Sequence, residues 1–361
     1  MKVCFFQGGF AANGGIGRVV SVLSGALAER GIDVYLCAFY ERKADAYYEI
    51  SPLCKRTELF NHPVSMAKAM TQGKAVKKLS EYITANGIEI IIACGALYYP
   101  LCTLAAEKAG IKLVCWEHIN PKIKNDYKFQ DASRKFGAKR SSCNVLLTRS
   151  ALEIYNGRFK GKNNVQIYNP IDPALLSKGT GYDTNSKSII SIGRLCYQKN
   201  FSRLLDIAAE ILPNHPDWKW DVYGEGDLRE ELTQKCESLG LSGRVRFLGH
   251  VGDLYDRYKN YAFTVMTSRY EGFPMTLLEG AASGLPMISL DIETGPSEII
   301  EDGINGFLAD NDNNQSIINA IETLIENDDL REKMSAEAKK TAARFSISNI
   351  TDNWMDILNT L

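Results

Sequence analysis

The stretch Glu271-Gly-Phe-Pro-Met-Thr-Leu-Leu-Glu279 places two carboxylates on either side of a predicted helix start. Gly272 allows a tight turn, and Pro274, with its fixed φ, suits the first helical position. The first amides of this helix belong to Met275, Thr276 and Leu277. Such amides point outward without partners and, together with the helix dipole, attract anions. The stretch predicts a phosphate-binding site flanked by two carboxylates that can accept hydrogen bonds from hydroxyl groups. The alternative is a solvated glutamate before an ordinary amphipathic helix.

A second element lies upstream, where an apolar strand over residues 188–192 runs into Gly193 and Arg194, with Lys199 five residues later. Arginine can donate a fork of hydrogen bonds to phosphate oxygens, and lysine acts as a compact point charge. Ligands of open α/β sheets bind at the carboxyl ends of strands, which is where both cations are predicted. We therefore expect Arg194 and Lys199 to lie at the phosphate-binding site. The alternative is that both side chains are only solvated, as cations in such loops commonly are.

The alternation of short apolar strands with helices indicates an α/β fold with parallel sheets covered on both faces. The strands are predicted over 2–7, 33–39, 88–94, 112–116, 145–148, 165–168, 188–192, 220–223, 244–248, 263–266 and 286–290, and helices include 17–30, 64–86 and 349–361. The alternation restarts after Tyr168-Asn-Pro-Ile-Asp-Pro173, whose prolines break regular structure. We predict one Rossmann-like domain over 1–168, joined by a C-terminal helix at about 345–361, and a second over 169–344.

Composition agrees with a two-domain cytoplasmic protein. The 361 residues exceed what one core usually supports, and 45% of them are hydrophobic. The nine cysteines contain no C-x-x-C pair and are predicted to be buried, reduced thiols. The four histidines are scattered, so no metal site is predicted. The apolar run 90–106 is divided by Gly95 and Pro100 and is interpreted as a strand, a turn and a packed helix.

Charge differs sharply between the two halves. Residues 1–168 carry 24 basic and 13 acidic side chains, a net charge of +11, and the remainder carries −12. The basic residues cluster at Lys68, Lys74, Lys77 and Lys78, and again at Lys122, Lys124, Lys128, Arg134, Lys135, Lys139 and Arg140. An anionic membrane surface fits this charge better than nucleic acid, because no aromatic-interleaved basic groove, zinc spacing or basic zipper accompanies it. A solvated face balanced by the acidic domain is the alternative.

Two elements of the first half also lie at predicted strand ends. Gly8-Gly9 and Asn13-Gly14-Gly15-Ile16-Gly17-Arg18 open the first helix, so the backbone can approach a ligand there. A dinucleotide site is disfavoured, because the acid expected after the second strand is replaced by Phe39-Tyr-Glu41 in poor register. His118, in Trp116-Glu-His118, is either a structural histidine or a ligand-binding group.

The E-x7-E stretch and the G-R-x5-K element resemble those of retaining glycosyltransferases of family 4, which have the GT-B fold. The resemblance continues at Tyr223-Gly-Glu-Gly226, Phe247-Leu-Gly-His-Val251 and Thr294-Gly-Pro-Ser-Glu298, and is much weaker in the first half, where G-G-I-G-R stands for the common G-G-A-E-R. It implies two Rossmann-like domains facing a cleft, with the last helix crossing back to the first domain.

The resemblance also implies roles for individual residues. Glu271 and His118 would contact the donor sugar, and Arg194 and Lys199 the donor diphosphate. Glu279 would bind the ribose hydroxyls, and the backbone at His250 and Val251 the base. Donor binding would also involve Gly15, Gly193, Gly272, Phe273, Pro274, Met275, Thr276 and Leu277. Catalysis would depend on positioning and charge stabilisation, with the departing diphosphate assisting the acceptor hydroxyl.

The activity implied is transfer of a hexose (galactose, glucose or an N-acetylhexosamine) from a nucleotide sugar, which is expected to be a UDP-hexose. The acceptor would be a lipid-linked or surface-polysaccharide glycan, as in lipopolysaccharide and capsule synthesis. No metal or cofactor is expected, and the enzyme would act in the cytoplasm, peripherally at the inner face of the membrane. Two alternatives remain: a UDP-sugar 2-epimerase of the same fold, and a non-catalytic module that binds sugar nucleotides or membranes. The oligomeric state is not predicted.

Overall fold

The computed structural model describes residues 1–11, 14–41, 45–123, 129–178, 181–252 and 254–361. They form two compact units, one of Met1–Pro170 with Ile347–Leu361 and the other of Ile171–Ser346. These divisions lie about two residues from the predicted boundaries. Each unit has its own parallel sheet and its own apolar core.

The first unit is built on a seven-stranded sheet. Its strands are Lys2–Gln7 (β1), Asp33–Tyr40 (β2), Lys55–Phe60 (β3), Ile90–Cys94 (β4), Lys112–Glu117 (β5), Cys143–Leu146 (β6) and Asn164–Gln166 (β7). Its first six helices are Gly15–Glu29 (α1), Met66–Thr71 (α2), Lys74–Asn86 (α3), Tyr99–Ala109 (α4), Gln130–Arg140 (α5) and Arg149–Arg158 (α6). The strand order is β3-β2-β1-β4-β5-β6-β7 with parallel pairing throughout. The order reverses between β1 and β4, so the loops that follow these two strands diverge at the carboxyl edge.

The second unit repeats this architecture with six strands. They are Ser188–Ile192 (β8), Lys219–Tyr223 (β9), Val245–Gly249 (β10), Phe263–Met266 (β11), Met287–Asp291 (β12) and Gly306–Asp310 (β13). Its helices are Pro173–Lys178 (α7), Phe201–Ile211 (α8), Arg229–Ser238 (α9), Met275–Ala282 (α10), Pro296–Ile299 (α11), Asn314–Glu326 (α12) and Asp328–Ala343 (α13). The strand order is β10-β9-β8-β11-β12-β13, again parallel. The predicted α/β class with two doubly wound parallel sheets is confirmed.

Several local predictions differ from the structure. Strands β3 and β13 were not predicted; both lie at sheet edges, where pairing on one side only permits a more polar sequence. The helix predicted over 64–86 is two helices, because Gly73 adopts a left-handed conformation with φ +66° between α2 and α3.

The last helix, Ile347–Thr360 (α14), belongs to the first unit, as predicted. Its Trp354 is fully buried and packs edge to face on Trp116 of β5, with ring centroids 4.8 Å apart. Arg30, which follows α1, donates to Asp352 at 2.6 Å. The helix is therefore attached to the first unit by a buried aromatic contact and an exposed ion pair.

Trp354→Ala should lower the free energy of unfolding by about 3–5 kcal/mol, because truncation of a buried tryptophan leaves a large cavity. Trp354→Phe should cost less, since the indole Nε1 has no hydrogen-bond partner among the described residues. Urea denaturation measures both effects. Asp356→Ala, on the exposed face of α14, is the control and should change stability by less than about 0.5 kcal/mol. Equal losses for the alanine variants at 354 and 356 would contradict the packing role.

Candidate functional site

The loops that follow β8 and β11 lie side by side although these strands are far apart in the sequence. The strands pair directly, with Ile189 opposite Phe263 and Ile190 opposite Thr264. This is the point at which the strand order of the second sheet reverses, and such points leave a crevice at the carboxyl ends of the strands. The sequence elements around Arg194 and Glu271 consequently meet at one edge of the second sheet.

Lys199 and Glu271 form an ion pair within this edge. The Lys199 Nζ lies 2.6 Å from Glu271 Oε1, and the exposed fractions of the two side chains are 17% and 7%. Gln198 donates through Nε2 to Glu271 Oε2 at 3.3 Å and to the carbonyl of Tyr270 at 3.0 Å. A buried carboxylate needs such partners to remain charged. The sequence assigned Lys199 and Glu271 to different parts of a donor and did not predict that they pair.

The start of α10 differs from its prediction in two respects. Pro274 is the residue before the helix, with φ −79° and ψ 92°, and the first helical residue is Met275. The extended conformation of Pro274 directs the Pro274 carbonyl into the first turn, where the amides of Leu277 and Leu278 donate to it at 3.0 and 3.2 Å. The prediction of an unpaired Leu277 amide was therefore wrong. Met275 and Thr276 occupy the first two positions, for which a helix has no carbonyl partner of its own, and their contact with an anion stays a prediction.

The turn before α10 is held by packing. Phe273 is buried and its ring lies 5.5 Å from that of Phe345, so the Phe273 side chain packs in the core. Thr294 donates through its hydroxyl to the carbonyl of Glu271. Gly295 has φ +105°, and a Cβ there would lie 2.6 Å from Pro274 Cδ. The Thr294-Gly295 turn thus fits directly against Gly272 and its neighbours, which fixes the position of Glu271.

Glu279 lies on α10 in the second unit and is also buried. Its Oε2 accepts a hydrogen bond from the Tyr258 hydroxyl at 2.9 Å. Tyr258 belongs to a short 3-10 helix, Tyr255–Asn260, and was not among the predicted site residues. An aromatic residue in a helical turn carries no sequence signal for such a contact. Tyr258 orients the carboxylate that was predicted to bind ribose.

The loops after β8, β9 and β10 are joined by backbone contacts that require glycine. The Gly193 amide donates to the carbonyl of Tyr223 at 2.9 Å, and the Gly224 amide to that of Gly249 at 2.8 Å. A Cβ on Gly224 would lie only 1.9 Å from the Gly193 carbonyl oxygen. A Cβ on Gly193 would lie 3.0 to 3.2 Å from the methylene carbons of Lys199. The glycines therefore allow these loops to pack against each other and against the stem of Lys199.

Arg194 projects from this assembly into solvent. Its side chain is exposed, and among the described residues its guanidinium forms no ion pair or hydrogen bond. Its five donors are thus available to an anion. His250 is exposed and Val251 half-buried, directly after β10. Their predicted contact with a nucleotide base stays a prediction.

His118 follows β5 in the first unit and is buried beside Trp116, with ring centroids 4.3 Å apart. Burial lowers the pKa of His118 to about 3, so the imidazole is neutral near pH 7. Its Nε2 has no hydrogen-bond partner among the described residues. Such a ring can exchange hydrogen bonds with a ligand but carries no charge to neutralise a phosphate.

Glu117, next to His118, has a structural role. Its carboxylate pairs with fully buried Arg134, with Nε 2.7 Å from Oε2. Arg134 also donates to the carbonyls of Pro121 and Ile123 at 3.3 and 3.2 Å. The prediction of Arg134 as part of a basic surface was therefore wrong, because this guanidinium ties the loop after β5 to α5.

The glycine-rich loop after β1 is bound by a carboxylate of the chain itself. Glu41 accepts from the amides of Phe10 and Ala11 at 2.7 and 3.2 Å and pairs with Arg56 at 3.2 Å. The sequence indicated that Glu41 was in poor register for the acid of a dinucleotide site, and in the structure Glu41 holds this loop directly. Gly15 is the first residue of α1, and its predicted donor contact remains a prediction. Asn13 lies outside the described residues.

The predicted basic surface is partly engaged within the first unit. Lys68, Lys74, Lys77 and Lys78 are all exposed. Lys77 lies 3.9 Å from Glu81, and Lys78 donates to the carbonyl of Leu59 at 3.2 Å and lies 4.8 Å from the centre of the Phe60 ring. Arg140 pairs with Glu107 at 2.5 Å. Lys124 and Lys128 lie outside the described residues.

The described ranges of the chain offer neither a metal-binding cluster nor a membrane-spanning helix. They contain no group of three or more His, Cys, Asp or Glu side chains placed to hold a metal ion. No helix in the same ranges is both long and apolar enough to cross a membrane.

Two family models match the chain in succession. The model of Glycosyltransferase Family 4 matches residues 13–175, and that of Glycosyl transferases group 1 matches residues 175–341. The division between them falls close to the division between the two structural units.

Relatives match over nearly the whole chain. The amylovoran biosynthesis glycosyltransferase AmsD of Erwinia amylovora is 28% identical, with 99% of each chain covered. An uncharacterized glycosyltransferase of Haemophilus influenzae is 25% identical, also with 99% of each covered. A Campylobacter jejuni N-acetylgalactosaminyltransferase, named for a glycan on PP-undecaprenol, is 25% identical, with 96% of this chain and 95% of the relative covered.

Solved structures share the fold at low identity. A TarM variant of S. aureus, in a complex that includes UDP, aligns with a TM-score of 0.86 at 15% identity and covers 99% of both chains. Anabaena HepE in complex with UDP aligns with a TM-score of 0.80 at 19% identity over 100% of both chains. Both alignments span the two units.

Proposed function

Because the chain belongs to glycosyltransferase family 4, whose members are retaining enzymes of the GT-B fold, we propose that it transfers a hexose from a UDP-linked donor to a lipid-linked or surface-polysaccharide glycan. The hexose is galactose, glucose or an N-acetylhexosamine. The observation that carries the proposal is the Lys199–Glu271 pair, which lies beside the first turn of α10 where two strand ends diverge.

The arrangement supports binding of a donor diphosphate by the second unit. Arg194 has an uncommitted guanidinium, Lys199 is 17% exposed, and the amides of Met275 and Thr276 point out of the helix start. Together they provide two positive charges and two neutral donors for the phosphate oxygens. Glu279, oriented by Tyr258, binds the ribose hydroxyls in this proposal, and the backbone at His250 and Val251 meets the base.

The reaction requires a leaving group that is stabilised as its bond breaks. The bond between the anomeric carbon and the diphosphate oxygen breaks, and negative charge accumulates on the diphosphate beside Arg194 and Lys199. The acceptor hydroxyl oxygen bonds to the anomeric carbon on the same face, and its proton passes to the departing diphosphate. Neither a metal ion nor a cofactor takes part in the proposed reaction.

Glu271 and His118 complete the proposed set of catalytic residues. Glu271 is held by Lys199 and Gln198 at the start of α10. A sugar attached to the bound diphosphate would project toward this position. His118 is neutral near pH 7, which suits hydrogen bonding to a sugar hydroxyl and excludes the role of a fixed positive charge. This protonation state favours a positioning role for His118 over neutralisation of phosphate.

The names of the relatives support the class of donor and acceptor. TarM and HepE were both solved with UDP, and HepE also with UDP-glucose. AmsD is named for synthesis of a polysaccharide, and the Campylobacter relative for a glycan on PP-undecaprenol. We assign donor binding to the second unit and acceptor binding to the first, as the sequence predicted.

A panel of UDP- and GDP-sugars tests the proposal. The wild-type protein should slowly release nucleotide from one UDP-sugar, and a PP-undecaprenol-linked glycan or a polysaccharide fragment should accelerate the release. If UDP-N-acetylglucosamine instead gave free N-acetylmannosamine with no effect of acceptors, the protein would be a 2-epimerase. Absence of any nucleotide release would favour a binding module.

We also propose a peripheral location at the inner face of the cytoplasmic membrane, because the first unit is basic and exposes Lys68, Lys74 and Lys77 on α2 and α3. Each such charge contributes about 1 kcal/mol near anionic headgroups.

Vesicle flotation should therefore show binding that increases with anionic lipid content and weakens with salt, since exposed charges are screened over roughly 10 Å at 0.1 M salt. Substituting Lys68, Lys74 and Lys77 together with glutamine should weaken flotation if these helices bind, and the same change at Lys122, Lys124 and Lys128 if the second cluster binds. Flotation that responds to neither lipid charge nor salt would contradict the membrane proposal.

A further inference from the structure

An exposed aromatic ring and a guanidinium are stacked beside the Lys199–Glu271 pair. Tyr197, in the loop after β8, is 67% exposed, so its ring is not packed in the core. The guanidinium carbon of Arg269, in the loop after β11, lies 4.4 Å from the centre of this ring. Neither residue belongs to the set to which donor binding is assigned.

Hydrogen bonds fix this stack relative to Glu271. The Arg269 amide donates to the carbonyl of Gln198 at 2.8 Å, and its Nη2 donates to Asn200 Oδ1 at 2.9 Å. Gln198, which follows Tyr197, donates in turn to Glu271. The stack is therefore held in place by the same two loops that hold the ion pair, and a ligand placed on it would lie close to the reacting groups.

The positive charge of this surface is incompletely neutralised. Among the described residues, Arg269 forms no ion pair within 4.0 Å, and its Nη2 donates only to the neutral amide oxygen of Asn200. Arg203, at the start of α8, already donates to Asn314 Oδ1 and to the Asn311 carbonyl, each at 2.8 Å, so its guanidinium is engaged within the second unit. An anion would supply the counter-charge that Arg269 lacks.

We propose that Tyr197 and Arg269 bind an anionic group, either a phosphate or a carboxylate, on the saccharide acceptor, in addition to the acceptor contacts assigned to the first unit. A guanidinium fork matches the oxygens of both groups, and the exposed face of Tyr197 provides a stacking platform for the sugar ring. The proposal rests on the proposed function, because it assumes that a glycan acceptor binds close to Glu271. It adds that the acceptor is negatively charged near the residue that receives the new sugar.

Calorimetric titration of the UDP-saturated protein measures the affinity of this surface for a ligand while UDP occupies the phosphate-binding site. The probes are glucose 6-phosphate, glucuronate, inorganic phosphate and glucose. Glucose 6-phosphate or glucuronate should bind more tightly than inorganic phosphate or glucose, because only the first two offer both a ring and an anion. The tighter of the two identifies the anionic group as phosphate or carboxylate.

Three variants separate the contributions. Arg269→Ala should weaken binding of the charged saccharide by about tenfold or more, as expected for loss of a charge-assisted hydrogen bond. Tyr197→Ala should weaken it about two- to fivefold and leave the affinity for inorganic phosphate unchanged. Arg140→Ala is the matched control, because Arg140 also stacks at 4.4 Å, on Phe136, but is already paired with Glu107. It should have no effect.

Two results would overturn the inference. One is the absence of binding by either charged saccharide to protein that binds UDP normally. The other is an affinity for them that Arg269→Ala leaves unchanged. Failure of UDP itself to bind would instead contradict the proposed function, so the two failures are distinguishable.

Discussion

Arg194→Ala should weaken UDP binding about 10- to 150-fold without unfolding the protein. A hydrogen bond to a charged group is worth about 1.5–3 kcal/mol, and each 1.4 kcal/mol changes the affinity tenfold. The side chain is exposed and has no partner among the described residues, so its removal disturbs no internal contact. Calorimetric titration with UDP measures the effect, and sugar transfer should fall with it.

Lys187→Ala is the matched control for this measurement. Lys187 precedes β8, at the opposite end of the strand from Arg194, and forms an exposed pair with Asp217 at 2.9 Å. It should leave UDP affinity unchanged. Equal UDP affinities for wild type, Arg194→Ala and Lys187→Ala would contradict the assignment of Arg194 to the diphosphate.

Lys199 requires a different design because the structure pairs it with Glu271. Lys199→Ala alone would leave a carboxylate that is only 7% exposed without its cation, and breaking a buried pair in this way costs about 3–5 kcal/mol. The double change Lys199→Ala with Glu271→Gln removes both charges and should restore stability. It should not restore UDP affinity, which separates the role of Lys199 in binding from its role in folding.

Glu279 and Glu271 should have separable effects. Glu279→Gln should weaken UDP binding by about tenfold or more, because the carboxylate is assigned to the ribose hydroxyls. Glu271→Gln should leave UDP affinity intact or raise it, since it releases Lys199 to the phosphates, and should lower turnover about 10²- to 10³-fold. Calorimetry with UDP and the rate of release from the preferred UDP-sugar measure the two quantities.

Tyr258→Phe is the control for Glu279. It removes the hydroxyl that donates to Glu279 at 2.9 Å but keeps the carboxylate, so it should weaken UDP binding less than Glu279→Gln does. A larger loss of UDP affinity in Glu271→Gln than in Glu279→Gln would show that the two assignments are reversed.

The sequence predicted the interior strands because they are buried on both faces. In β4, Ile90-Ile-Ile-Ala-Cys94 is uniformly buried, and such a run between helical patterns has few other interpretations. Edge strand β3, Lys55-Arg-Thr-Glu-Leu-Phe60, has four polar residues out of six and did not stand out. The resemblance to family 4, drawn from the Glu271–Glu279 stretch and its companions, is confirmed by the two family models.

The contacts within the site could not be predicted in the same way. Lys199 and Glu271 meet because β8 pairs with β11. The order of strands in a sheet cannot be derived from the local hydrophobic periodicity of the sequence. Glu41 reaches the glycine-rich loop because β2 lies beside β1, which places its end near Phe10. Both contacts depend on side chains that are adjacent only after the sheet has formed.

The anomeric configuration of the product tests the central claim most directly. Proton NMR should follow the reaction of the preferred UDP-sugar with its acceptor, or with water when the acceptor is absent. A family 4 glycosyltransferase should form first the anomer that the donor carries, with UDP released in equal amount. Initial formation of the opposite anomer, or of a sugar epimerised at C2, would contradict the account.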